Sequence, residues 1–205
     1  MTLDLYIITE YGVLAASLVF SYIVGSVSFG IIAAKLFKIG NLRKLGSGNI
    51  GTTNVLRTGN KKAAALTLLS DSGKGYLPFV FATSFINPNF IILVGLATFI
   101  GHLFPIFHNF RGGKGVATFI GIMFGINMLV GLVVCFIWIC IALASKKSSL
   151  SALGASFVSP FLVFSIAGTQ HILLTSILVL LLWFRHKDNI KRILSRTEPS
   201  ISFRK

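Results

Sequence analysis

Three polar segments of this chain hold residues suited to chemistry on an anion. Residues 46–57 read GSGNIGTTNVLR, where glycines alternate with hydroxyl and amide side chains ahead of Arg57. Glycine lets backbone N–H groups converge on an oxyanion, Ser and Thr add donors, and Arg offers a two-pronged fork for phosphate. The same composition also suits a flexible interfacial loop, and composition alone does not choose. Residues 101–118 read GHLFPIFHNFRGGKGVAT, in which Gly112, Gly113 and Lys114 precede a short apolar helix whose N-terminus would favour an anion. Lys114 is followed by Gly115 where a nucleotide-binding P-loop needs Ser or Thr for magnesium, so ATP hydrolysis is not supported.

The third segment, residues 185–198, reads RHKDNIKRILSRTE. His186 and Asn189 are three apart and share a face if the preceding helix continues. An imidazole is the natural general acid or base near neutral pH. A stop-transfer cluster accounts for Arg185, Lys187, Lys191 and Arg192 but not for His186 with Asn189. The loop Lys146-Lys147-Ser148-Ser149-Leu150-Ser151 is by itself ordinary loop material. Asp71 and Lys74 are different, because each costs about 2.5 to 3.5 kcal/mol at a bilayer centre. They must pair or face a polar cavity, either as a structural ion pair or in support of the site. The four histidines have no metal-binding spacing, and no metal or organic cofactor is expected. Cys135 and Cys140 are expected to be buried small hydrophobes.

The elements that position these residues follow from hydropathy and charge. Hydrophobic residues make up 54% of the 205-residue chain, charged residues 12%, and mean hydropathy is +0.85, too little polarity to coat a soluble globule. Apolar runs extend from about Leu5 to Phe37, Ala63 to Ile86, Phe90 to Phe110, Val116 to Ile126, Met128 to Ser145, Leu150 to Ala167 and His171 to Phe184. The fold class expected is an all-α integral membrane protein of about seven spans, residues 1–205 forming a single transmembrane domain. Val116 to Ile126 is short of the ~20 residues a full crossing needs, which predicts a broken or half-buried helix. The start of the chain has Asp4 and Glu10 and no basic n-region, so the first run reads as a retained span, not a cleaved signal.

Eighteen of the nineteen Lys and Arg residues lie in four segments that fall on one side when the seven spans are threaded; only Lys74 does not. By the positive-inside rule that side is cytosolic, with the N-terminus outside and the C-terminus inside. The outer turns, Asn87-Pro88-Asn89, Gly125 to Asn127 and Gly168 to Gln170, are uncharged. A net charge of +14 is a feature shared with nucleic-acid-binding proteins, but the basic residues flank spans and do not form a soluble basic face. No nucleic-acid partner is expected.

Taken together and in order, the three segments, with Asp71-Ser72-Gly73-Lys74-Gly75, closely resemble the acyl-phosphate:glycerol-3-phosphate acyltransferase (PlsY) family over nearly the whole chain. The resemblance implies transfer of a fatty acyl group from acyl phosphate to the 1-hydroxyl of glycerol 3-phosphate, giving lysophosphatidic acid and phosphate, the first acylation of bacterial phospholipid synthesis. It implies an enzyme of the bacterial inner membrane with its site at the cytoplasmic face and membrane lipid around it; a monomer is the default, since one chain can supply every site residue. Carried onto this sequence, it implies catalytic roles for His186, Asn189 and Ser47, and substrate binding by Asn49, Thr53, Asn54, Arg57, Gly112, Gly113, Lys114, Ser151 and Glu198. Either His186 or an oxygen of the acyl phosphate would take the hydroxyl proton.

The chain departs from the family pattern at Ile50 and Thr52, where Pro and Ala are usual, and at Arg196, where Gly is usual. A Gly with positive φ is not replaced cheaply, so Arg196 bears directly on the backbone around Glu198. The histidines lack the Asp five residues on that acyl-CoA-dependent or carrier-protein-dependent relatives would use. A small transporter of an anionic solute is the competing reading, since it too would use interrupted spans and half-helix N-termini. Its polar residues would reach both faces, whereas here they collect on one.

Overall fold

The computed structural model describes residues 2–201, with side chains from residue 9 onward, so Arg204 and Lys205 of the last basic cluster lie outside the described residues. Among these the chain is all-helical. Ten α-helices run in the order α1 (Thr2–Ser26), α2 (Phe29–Leu36), α3 (Thr52–Leu56), α4 (Lys61–Ala82), α5 (Ile91–Leu103), α6 (Val116–Ile126), α7 (Met128–Ser145), α8 (Ser148–Ala167), α9 (Ile172–Arg185) and α10 (Lys187–Leu194). The expectation of an integral membrane α-bundle holds. Its outer surface is apolar, with Leu143, Phe161 and Leu180 more than 60% exposed. Side chains of that kind suit lipid and would be a liability in water.

Local chemistry explains where the helices stop. Pro105 disfavours helical geometry at Phe104, which sits at φ −131° and ψ 66°, so α5 ends at Leu103, several residues before the expected Phe110. Gly115 starts α6 at φ +85°, and Asn127 separates α6 from α7 while its side chain accepts the Leu129 and Val130 N–H groups. Both signals are local, and the bounds of α6 and α7 coincide with the apolar runs. The run from Leu5 to Phe37, by contrast, is two helices. α1 stops at Ser26 and α2 starts at Phe29, with the Ser28 backbone at ψ 85°.

Four helical stretches are long and apolar enough to cross a bilayer: Thr9–Leu36, Pro88–His108, Met128–Ser145 and Ser148–Ala167. α4 has the length but carries Asp71 and Lys74, and α6 and the Thr169–Arg185 stretch are shorter. The core lies where α4, α5, α6, α8 and α9 meet, around Phe79, Phe99, Phe119, Leu103 and Leu178. Close packing of α4 on α6 depends on small residues: a Cβ at Gly121 would lie 2.0 Å from the Ser72 carbonyl oxygen. Cys140 is exposed and Cys135 partly so, because both face the periphery of α7; neither is the buried packing residue expected.

Positive-inside threading predicts opposite faces for the ends of α4 and for the two ends of α9. In a background with Cys135 and Cys140 replaced by Ala, single cysteines at Asn89 and Gln170 should react with an impermeant maleimide from outside the cell, and those at Lys44 and Lys191 only after permeabilisation. Equal outside labelling of Asn89 and Lys44 would mean that α4 does not cross.

Candidate functional site

The site forms where α3, the loop ahead of α6, the start of α8, the junction of α9 with α10 and the segment after α10 converge. Its anchor is Glu198, only 7% exposed. The Oε1 atom accepts hydrogen bonds from Ser149 Oγ and Asn189 Nδ2, both at 2.6 Å, and Oε2 accepts one from Arg192 Nε at 2.7 Å. Lys147 Nζ donates to the Glu198 backbone carbonyl at 2.8 Å. Burial would raise the Glu198 pKa, but the bonds from Ser149, Asn189 and Arg192 outweigh it and hold the group below the usual carboxylate range. The carboxylate is therefore ionised at neutral pH.

Four cations surround this one anion. Arg57 extends from the end of α3, where its Nη2 donates to the Pro199 and Ser200 carbonyls at 3.3 and 3.5 Å. Lys114 is half-buried beside the start of α6 and, among the described residues, makes no ion pair. Burial pushes its pKa down to about 8; Glu198 opposes the shift, and the Arg192 and Arg57 cations reinforce it. With Arg192 and Lys147 these groups leave excess positive charge in a partly desolvated place, which is what a multiply charged anion requires.

His186 lies between α9 and α10 and is 2% exposed. Its Nδ1 is 2.8 Å from the Leu182 carbonyl oxygen. A carbonyl can only accept, so Nδ1 carries the proton and Nε2 keeps its lone pair. Burial pushes the imidazole pKa down to about 4, with the Leu182 bond opposing and Lys114 reinforcing the shift. The ring is neutral at pH 7, and it is a weaker base than the ordinary histidine expected from sequence. The helix does not run straight on through it, since α10 begins at Lys187, yet His186 and Asn189 remain one turn apart because Ile190 N–H donates to the His186 carbonyl. Asn189 Oδ1 is buried and has no hydrogen-bond partner among the described residues.

The two glycine-rich segments are built differently from the expected backbone cradle. Gly112 and Gly113 direct their N–H groups to the Leu103 and His102 carbonyls at 3.1 and 3.2 Å, because the chain doubles back after Pro105. Their own carbonyls accept Arg185 Nη2 and Nε at 3.0 and 3.1 Å. Neither N–H faces an anion. These glycines serve close approach, since a Cβ at Gly113 would lie 2.4 Å from His102 Nε2.

Asn54, expected to bind substrate, is buried and organises its own loop. Its Nδ2 donates to the Leu42, Leu45 and Asn49 carbonyls at 2.7 to 3.0 Å, and its Oδ1 accepts from the Ser47 N–H at 2.9 Å and more distantly from Ser47 Oγ at 3.3 Å. Ser47 therefore lies within this loop network, and among the described residues no hydrogen bond joins it to His186. Asn49 contributes its carbonyl, with its amide against Gly51. Thr53 ties α3 to α8 through a hydroxyl contact of 2.9 Å with Ser148.

Ser151, also expected at the site, is fully buried and turns its hydroxyl onto the Lys147 carbonyl at 2.9 Å, within its own helix. The serines that reach the site are Ser148 and Ser149. Sequence reasoning missed these two, Lys147 and Arg192; the signal was the dense Lys-Lys-Ser-Ser run, which becomes meaningful only once Glu198 is seen to fold back onto it. The Arg196 departure proved informative: this residue has φ +59°, the left-handed geometry that the usual glycine would adopt freely.

Residues 15–196 match the glycerol-3-phosphate acyltransferase family. A glycerol-3-phosphate acyltransferase of Dinoroseobacter shibae is 44% identical over 197 residues, covering 96% of this chain and 97% of the relative, and that of a Jannaschia species is 46% identical over 181 residues, covering 88% and 89%. The fold is similar to a crystal structure of PlsY (YgiH), described as an integral membrane glycerol 3-phosphate acyltransferase, in its glycerol 3-phosphate form. The TM-score is 0.87, with 33% identity, covering 92% of this chain and 96% of the other. A lysophosphatidic acid form of PlsY superposes with a TM-score of 0.84 at 31% identity, covering 93% and 96%.

The strained Arg196 backbone supplies a test of local structure. Its side chain is exposed, and left-handed geometry costs a non-glycine residue about 1 to 2 kcal/mol, partly offset by the greater unfolded-state freedom of Gly. Arg196→Gly should raise the thermal midpoint in detergent by about 1 to 4 °C. A lower midpoint would show that Arg196 holds the turn by a contact its exposure hides.

Proposed function

The chain belongs to the glycerol-3-phosphate acyltransferase family, and from that premise we propose that it transfers a fatty acyl group from acyl phosphate to the 1-hydroxyl of glycerol 3-phosphate. The hydroxyl oxygen attacks the acyl carbonyl carbon, the bond from that carbon to the phosphate oxygen breaks, and lysophosphatidic acid and inorganic phosphate leave. The observation that carries this reading is the concentration of Arg57, Lys114, Lys147 and Arg192 around a single carboxylate. Two phosphate-bearing substrates repel each other, and surplus fixed cations offset that repulsion and bring the hydroxyl to the acyl carbon. Lys114 and Arg57 would bind the phosphates, while Glu198 aligns Asn189 and Arg192.

The unpartnered Asn189 Oδ1 is suited to accept from a glycerol hydroxyl, and the His186 Nε2 lone pair to the same task. With the imidazole pKa near 4, we assign His186 to orienting the attacking hydroxyl, and the final proton to an oxygen of the departing phosphate. The protein would act as a monomer in the bacterial inner membrane, as one domain, with the site at the cytoplasmic face where the basic segments collect. No step calls for a metal or an organic cofactor.

Purified protein given acyl phosphate and glycerol 3-phosphate, without thioester, should yield lysophosphatidic acid and phosphate in equal amounts. Activity with acyl-CoA alone would sink the choice of donor. His186→Ala should lower kcat strongly, whereas His186→Gln, which can still donate and accept a hydrogen bond but cannot take the proton near neutral pH, should retain much of it. If Gln is as inactive as Ala with KM unchanged, His186 is the base.

A pH profile tests Lys114. Its ammonium is present below about 8 and lost above, while the glycerol 3-phosphate dianion forms above ~6. Hence kcat/KM should be highest between those values and fall as pH rises through about 8. Lys114→Arg should move the alkaline limb upward by more than one unit, and Lys114→Ala should weaken kcat/KM about 10- to 100-fold, the range expected for a charged hydrogen bond of ~1.5–3 kcal/mol. An unmoved alkaline limb in the Arg variant would remove Lys114 from the site.

A further inference from the structure

A break inside an apolar helix exposes backbone groups that lipid cannot satisfy, so something must answer them. At the gap between α1 and α2 the answer comes from one turn of α4. Lys74 Nζ donates to the Val27 carbonyl at 2.5 Å and lies 5.7 Å from the centroid of the Phe29 ring. The backbone N–H of Phe29, first residue of α2, interacts electrostatically with the Asp71 carboxylate. Asp71 and Lys74 are 2.8 Å apart and both about 4% exposed or less. The signs are those the helix dipoles want, a cation at the carbonyl end of α1 and an anion at the N–H end of α2.

The same turn touches both cation-bearing segments of the site. Gly75 packs so closely on the start of α6 that a Cβ there would lie 2.2 Å from the Thr118 carbonyl oxygen. Asp71 is 3.9 Å from His102 Nδ1, and that ring's far side lies against Gly113, one residue before Lys114. On the other side α2 sets the loop of Ser47 and Arg57, for a Cβ at Gly30 would lie 1.8 Å from the Ile50 carbonyl oxygen. Backbone contacts this close transmit any shift of α2 to that loop.

We propose that Asp71 and Lys74 are positioning residues that splint the broken α1–α2 helix and thereby fix the Arg57 segment relative to the Lys114 segment. This role deepens the acyl-transfer reading and rests on it for its catalytic consequence. A simple buried ion pair would be indifferent to which partner carries which sign. The splint is not, because exchanging the charges sets a carboxylate against the Val27 carbonyl and an ammonium against the Phe29 N–H.

The test compares wild type, the neutral pair Asp71→Asn with Lys74→Gln, and the exchanged pair Asp71→Lys with Lys74→Asp, all in detergent micelles. Hydrogen exchange of the Phe29–Leu36 amides reads the splint without reference to activity, and KM for glycerol 3-phosphate against kcat reads its effect on the site. The expected result is amide exchange in α2 about tenfold faster in the neutral pair, faster still in the exchanged pair, with KM raised several-fold and kcat changed less. Wild-type exchange and KM in either variant would overturn the proposal, in the exchanged pair by showing that only the ion pair matters. If the exchanged pair does not fold, the neutral pair decides on the same two readouts. Failure of wild-type protein to transfer an acyl group would count against the proposed reaction, while the exchange rates would still judge the splint.

Discussion

Repulsion among like charges is the constraint around which the polar end of this bundle is built. Arg57, Lys114, Lys147 and Arg192 come from four different parts of the chain, and without a counter-ion they would push those parts away from one another. Glu198 prevents this from a position where its carboxylate meets Ser149, Asn189 and Arg192 while its backbone meets Lys147. Even with Asp188, which also acts on Lys114, two negative charges do not neutralise four positive ones. The surplus is retained at a partly desolvated place, where an arriving phosphate is attracted more strongly than it would be in water.

The apolar elements exist to hold that polar end still. α6, of 11 residues, is too short to act as an ordinary span, and it begins at Gly115, directly after Lys114. α4 does the converse, carrying two charges through the hydrophobic region so that the neighbouring helix can be interrupted. Removing one of these charges would leave its partner buried and unanswered, a far larger penalty than losing both.

Much of this was legible in the sequence where the signal was local. Charge placement and hydropathy gave the class, Gly115 and Asn127 marked the ends of α6, and the absence of the usual glycine at Arg196 pointed to a backbone position that does have positive φ. What escaped was set by contacts distant in sequence. Gly112 and Gly113 looked like anion donors because composition does not reveal that the chain turns back after Pro105 and matches their N–H groups to the end of α5. Asn54 looked like a ligand for the same reason, since three of its bonds are to carbonyls 5 to 12 residues earlier. Ser149 and Lys147 were unremarkable until a glutamate about 50 residues later settled on them.

The position of Glu198 along the chain has a consequence for biosynthesis. Every apolar helix among the described residues precedes it, and the segment that carries it is tied down by the Ile201 N–H on the Lys146 carbonyl at 2.7 Å and by Arg57 on the Pro199 and Ser200 carbonyls. During translation the cations of the first and middle loops are made well before their shared counter-ion is. While the earlier helices are being inserted those charges are unshielded, and only afterwards does the trailing segment gather them around one carboxylate. The same charges are thus separate during insertion and gathered in the folded protein, and the order of the sequence keeps the two stages apart.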